Sequence, residues 1–122
     1  MIKSILQEKS LTFAVRCVKM YNYLIENKRE YILSKQMLRS GTSIGANIVE
    51  SRNAQSNADF ISKLSIALKE ADETAYWFEL MRRTEYITEE EFDSINNDLG
   101  ELIAMLISTI KTKKNLIEKN LD

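Results

Sequence analysis

The 122-residue sequence contains no histidine and no proline, and it has one cysteine and three glycines. Each shortage closes off a class of explanation. Without histidine there is no imidazole to activate a serine or cysteine nucleophile, to ligate zinc, or to complete the Glu-x-x-His pairs of di-iron helical bundles. The single cysteine, Cys17, can form neither an intrachain disulfide nor a multi-cysteine metal site. A free thiol suits a reducing compartment, so the cytoplasm is the expected location. Gly41, Gly45 and Gly100 match neither the dinucleotide-binding nor the P-loop spacing. No catalytic residue, cofactor or metal is therefore expected, and the chain does not read as an enzyme.

The scarcity of glycine and proline also removes the turn punctuation that a many-stranded β protein needs. The amino-terminal MIKSILQEKS lacks the apolar core of a signal peptide. No run approaches the roughly 20 apolar residues of a membrane span, so no membrane partner is expected. Lysine and arginine total 17 against 18 acidic residues, a formal net charge of -1, so no global positive charge draws the chain to nucleic acid. What is present is globular: 44% hydrophobic and 29% charged residues, in a length that suits one domain over residues 1–122.

Hydrophobic periodicity predicts four helices. The first spans about Ser4 to Asn27, capped by Ser4 with Gln7 completing a capping box, and its predicted inward stripe is Leu11, Ala14, Cys17, Val18, Tyr21 and Ile25. On this reading Cys17 is a small buried residue rather than a reactive thiol. The second helix spans about Ser34 to Asn53. It faces Met37, Gly41, Ile44 and Ile48 inward, while Gly41 and Gly45 form a small-xxx-small pair that admits a close neighbour.

Ser56 and Asp59 open a third helix reaching about Arg83, with Phe60, Ile61, Leu64, Ala67, Leu68, Ala71, Ala75 and Phe78 on its core face. Thr88 and Glu91 open the fourth, where Ile87 and Phe92 have the spacing of a hydrophobic staple. It continues to about Lys119 through Phe92, Ile95, Leu99, Leu102, Leu106 and Ile110. Glu89, Glu90, Glu91 and Asp93 crowd its start and Lys111, Lys113, Lys114 and Lys119 its end, a split that complements the helix dipole. Four amphipathic helices with short polar connections are best solved as an all-α, antiparallel up-down four-helix bundle.

Three surfaces carry candidate function. On the third helix Ile66, Trp77 and Leu80 lie away from the core face, the position of a candidate oligomer interface. On the second, Ser40, Ser43, Asn47 and Glu50 form a polar row with Arg39 and Arg52 nearby, suited to helix or subunit packing or to a phosphate. On the first, Lys9, Arg16, Lys19 and Tyr23 share an outward face. Lys9, Arg16, Lys19, Arg39 and Arg52 are the candidate nucleic-acid contacts, set against a plain solvated reading of the same face. Glu70 and Glu73, one turn apart, could act as acid and base only if they converged in a pocket.

The stretch LRSGTSIGANIVES over residues 38–51, with EKSLTFAVRCVKMYNYL before it and DFISKLSIALKEADETAYWFEL after it, resembles the bacterial family of 23S rRNA intervening sequence proteins. The resemblance covers nearly the whole chain. It implies a small bundle that assembles into a ring-like homo-oligomer, a homopentamer, sometimes encoded within insertions in large-subunit ribosomal RNA genes. It further implies a likeness to accessory proteins of diversity-generating retroelements, pentamers that bind nucleic acid through a strongly basic surface. This chain departs from that pattern in its net charge of -1. The expected partners are thus further copies of the chain and, through the candidate cations, RNA or DNA.

Overall fold

The computed structural model describes residues 4–121, and among them every regular element is helical. The order is α1 (Ile5–Asn27), α2 (Leu33–Arg52), α3 (Asn57–Arg83) and α4 (Glu89–Leu121). Side-chain pairs fix the topology. Arg52 reaches Gln7 while Gly41 abuts Cys17, so α2 runs against α1. Arg39 reaches Glu73 and Lys63 approaches Glu50, so α3 runs against α2. Arg82 lies over the Phe92 ring and Lys113 over Phe60, so α4 runs against α3. Lys9 meets Glu101 and Arg16 meets Asp98, which closes α4 back onto α1. Each helix packs on its neighbours in the chain, and the result is an antiparallel up-down bundle.

Phe13 and Phe78 meet edge to face at the centre, 6.2 Å apart at 70°. Leu24, Met37, Ile44, Leu64, Leu99 and Leu106 fill the space around them. The predicted seam of α4 is buried from Ile95 to Ile110, with Phe92 partly covered.

In α1 the inward stripe differs from the predicted one. Of that stripe Cys17 is buried as expected and Tyr21 packs partly against the core, but the rest of the buried seam is Leu6, Ser10, Phe13 and Leu24, whereas Leu11 is 57% and Val18 44% exposed. Two apolar stripes compete on this helix, and the one containing Ser10 wins. The Ser10 hydroxyl is satisfied by donating to the Gln7 carbonyl at 2.8 Å, and its small size meets Gly45, while Phe13 offers more apolar area to bury than Leu11, Ala14 or Val18.

The glycine pair of α2 has the predicted role. A Cβ on Gly41 would lie 2.5 Å from the Cys17 sulfur, and one on Gly45 3.2 Å from the Ser10 hydroxyl, so both glycines set how closely α1 and α2 approach.

The ends of the helices follow local chemistry. The Ser4 and Ser56 hydroxyls accept from the Gln7 and Asp59 amides at 3.3 and 3.0 Å. Thr88 and Glu91 form a complete capping box, with reciprocal bonds of 3.1 and 2.8 Å. At Ser4 the box is only half made, because the Gln7 side chain turns to Arg52. Ile32, at the start of α2, has no capping side chain. Glu30 takes its place, accepting from the amides of Ile32, Leu33 and Ser34 at 3.1, 3.1 and 2.6 Å. Glu30 is 7% exposed. Its burial raises the carboxyl pKa, but the amide bonds from Ser34, Leu33 and Ile32 outweigh that and hold it below its ordinary 4.5.

Candidate interaction site

The bundle brings its titratable side chains together mainly in pairs that neutralise one another. On the α1–α4 side the Lys9 ammonium meets Glu101. The Arg16 guanidinium donates to Asp98 Oδ2 at 2.6 Å, to the Ser94 carbonyl at 3.2 Å and to the Ser94 hydroxyl at 3.0 Å. A shallow cleft beside it is lined by Arg16, Lys19, Met20, Tyr23, Glu90 and Glu91, so the surroundings of Lys19 are acidic. Lys19 itself makes no ion pair among the described residues.

On the α2–α3 side Arg39 is held by Glu70 at 3.4 Å and by Glu73. The two carboxylates share one guanidinium and do not converge in a pocket. At the α1–α2 seam, Arg52 donates to Gln7 Oε1 at 2.6 Å. In the polar row of α2 one bond crosses to α3, Thr74 donating to the buried Ser40 hydroxyl at 2.8 Å, while Ser43 and Asn47 turn back on their own helix, donating to the Arg39 carbonyl at 2.6 Å and the Ser43 carbonyl at 2.9 Å. Of the five candidate nucleic-acid contacts, Lys9, Arg16 and Arg39 are paired with carboxylates, Arg52 with an amide, and only Lys19 is free of such a bond. They lie at three different seams of the bundle, α1–α4, α2–α3 and α1–α2, and do not form one patch.

Where α3 turns into α4, Glu79 bonds Arg82 at 2.7 Å and Arg83 at 3.1 Å, and Arg82 also reaches Glu89 at 2.7 Å. The Arg82 bond, with help from Arg83, draws the Glu79 carboxyl down to about 2, and the same bonds raise the Arg82 guanidinium. This cluster joins two helices and offers no free valence. Burial pushes the Cys17 thiol up to about 12, with Arg16 opposing weakly, so the sulfur is held as the unreactive thiol. Among the described residues no cluster of acidic or sulfur side chains has the makings of a metal site, and no helix is long and apolar enough to cross a membrane.

The apolar surface is more distinctive. Ile66, Trp77 and Leu80 share a stripe with Glu70 and Glu73, which bond to α2, so the stripe flanks the α2–α3 seam. Ile66 is exposed, while Trp77 and Leu80 are half-buried and the indole N–H of Trp77 is enclosed without an acceptor.

A second apolar surface lies between α1 and α2. Leu11, Ala14, Thr42, Ala46 and Val49 line a groove there, floored by Gly45, and Val18 extends it along α1. The residues that form it were visible in the sequence as the Leu11, Ala14 and Val18 stripe. Spacing alone does not rank two apolar stripes on one helix, so the sequence does not show that this one faces outward.

The family model for the 23S rRNA-intervening sequence protein matches residues 3–108. Among solved structures, the chain is 61% identical to a Bacteroides thetaiotaomicron protein of unknown function from the S23 ribosomal protein family. The match covers 88% of this chain and 96% of that one, with a TM-score of 0.87. No curated protein matches.

Proposed function

The chain belongs to the 23S rRNA-intervening sequence protein family, and on that premise we propose that it is a non-enzymatic bundle that works by assembling with copies of itself, as an accessory module to RNA or an RNA–protein complex in the bacterial cytoplasm. The observation that carries this reading is the groove between α1 and α2. Leu11, Val18 and Val49 are 57%, 44% and 44% exposed on one side of a bundle whose core is otherwise closed. Covering the exposed parts of three such side chains contributes about 3 kcal/mol per contact. Another copy of the chain is a partner always present at matching concentration.

The groove and the Ile66, Trp77 and Leu80 stripe lie on adjacent sides of the bundle, sharing α2. Two different apolar patches on one protomer suit a head-to-tail contact, and such contacts close into rings when the rotation allows. The resemblance implies five copies. A non-enzymatic role is supported by the lack of histidine and by Arg39 holding both Glu70 and Glu73.

Substitution tests the contact. Val18→Asp and Ile66→Asp, one on each patch, are each expected to lower the mass measured by light scattering while the circular dichroism of the helices is unchanged. Wild-type mass in both variants would contradict the reading.

A further inference from the structure

The family match ends at residue 108, yet α4 continues without a break to Leu121. Lys9 of α1 stands opposite Glu101, and in an antiparallel pair the four residues back to Ile5 correspond to four forward, so α1 begins opposite about residue 105. From there α4 runs about 24 Å further at 1.5 Å per residue. Lys113, over the Phe60 ring, marks where α3 still accompanies it. Beyond that point the helix extends past the start of α3, and Leu116 is 52% exposed.

The charge of this segment is unlike that of the rest of α4. Residues 89–101 hold Glu89, Glu90, Glu91, Asp93, Asp98 and Glu101 with no lysine or arginine, whereas residues 109–119 hold Lys111, Lys113, Lys114 and Lys119 against Glu118 alone. The helix dipole accounts for little of this, because its influence is confined to the last turn and only Lys119 lies there. Density makes the sharper contrast. None of the four lysines bonds a carboxylate among the described residues, which is also true of Lys19, Lys28, Arg29, Lys35 and Lys69, but those five are scattered over α1, α2, α3 and the loop after α1, whereas these four fall within nine residues.

We infer that the α4 extension is a polyanion-binding arm of this chain, and that its partner is the phosphate backbone of single-stranded RNA. Four ammonium groups without a carboxylate partner, on a stretch of α4 that α1 no longer covers and of which Lys119 lies past the start of α3, are what phosphates would displace counterions to reach. A lipid surface fits less well. An interfacial helix needs one broad apolar face with aromatic residues and its cations opposite, whereas these lysines are distributed around the helix and the segment has no aromatic residue. The arm deepens the accessory reading by giving it a contact, and an assembly would multiply the arms on one strand.

The test is binding of a fluorescent single-stranded RNA to the full chain across a salt series. Four phosphate contacts predict a slope of log affinity against log salt of about -3, a loss of about 50-fold between 50 and 200 mM salt. The variant Lys111→Gln, Lys113→Gln, Lys114→Gln and Lys119→Gln is expected to lose that salt-sensitive binding with its helicity and assembled mass unchanged. Lys9→Gln with Arg16→Gln is expected to bind as wild type does. Equal binding by the quadruple variant, no saturable RNA binding by the wild type, or binding to phosphatidylserine vesicles in place of RNA would each overturn the inference. Assembly is read by mass and the arm by RNA affinity, so either can fail without the other.

Discussion

Two residues show how much a single position contributes. Glu30 supplies the cap that α2 lacks at Ile32, and the amide bonds hold it charged despite its burial. Glu30→Gln is expected to destabilise the fold by about 1 to 2 kcal/mol, the usual range for losing a cap with some dipole contribution. The sign of the pH effect follows from the lowered pKa. A carboxyl bound more tightly in its charged form contributes its stability above its unfolded value, near 4.5, and loses it as pH falls through the folded value. Urea melts of the two proteins should therefore differ at neutral pH and converge as acid takes the pH down through the lowered folded value. A difference that stays constant throughout the acid titration would show that Glu30 acts through packing alone.

Glycines separate in the same way by what surrounds them. A Cβ at Gly41 meets the buried Cys17 sulfur at 2.5 Å, while at Gly100 it meets nothing within 4 Å. Overpacking of about 1 to 3 kcal/mol outweighs the helix-propensity gain of about 1 kcal/mol at the first position, and the gain stands alone at the second. Gly41→Ala is expected to lower stability and Gly100→Ala to raise it by about 1 kcal/mol, both read by denaturant unfolding. Adding Cys17→Ala should recover part of the Gly41→Ala loss, because it removes the sulfur that the new methyl meets. Additive losses in the double variant would refute that contact.

At the scale of the element, helix ends carry the same kind of information. Arg29 and Glu85, neither of them glycine, adopt positive φ of 52° and 65° where α1 and α3 finish. After α3 the Glu85 and Tyr86 amides bond back to the Arg82 and Met81 carbonyls at 3.1 and 2.9 Å, the closing pattern that favours glycine at the left-handed position. Glu85 is exposed. Replacing it by glycine relieves about 1 to 2 kcal/mol of left-handed cost and adds part of that back as unfolded-state freedom. Glu85→Gly should raise the melting temperature by about 2 to 4 °C, and a lower melting temperature would contradict this account of the turn.

The helices themselves were legible in the sequence because their signals agree. Ser56 before Asp59, and Thr88 before Glu91, each precede an apolar repeat, and both caps form. The facing of α1 was not legible. Leu11, Ala14 and Val18 repeat as well as Leu6, Phe13 and Cys17 do, and the choice between them depends on Ser10 fitting against Gly45 across a gap that spacing does not encode. Glu30 escaped for another reason. It caps from inside a polar run, before a helix that starts with no Ser, Thr, Asp or Asn, so it carries no sequence signature. The cations were placed on plausible faces, but which of them are neutralised depends on the acids of the neighbouring helix. The lysine-rich end of α4 reads as dipole complementarity, but only Lys119 lies in the last turn, and Lys111, Lys113 and Lys114 stand more than a turn from the end.

For the whole molecule, four short-looped helices close a core around Phe13 and Phe78 and leave α1 and α2 with an apolar groove on the outside. The groove explains why α1 bears two apolar stripes: one builds the protomer and the other is available to a second copy. The α4 extension is distinct from both, since its lysines point to a partner of opposite charge.

Sedimentation equilibrium of the wild-type chain at micromolar concentration measures the assembly itself. Self-assembly predicts a mass that is an integral multiple of the 14.1 kDa chain, with five as the expected multiple. A single species at 14.1 kDa across that concentration range would contradict it.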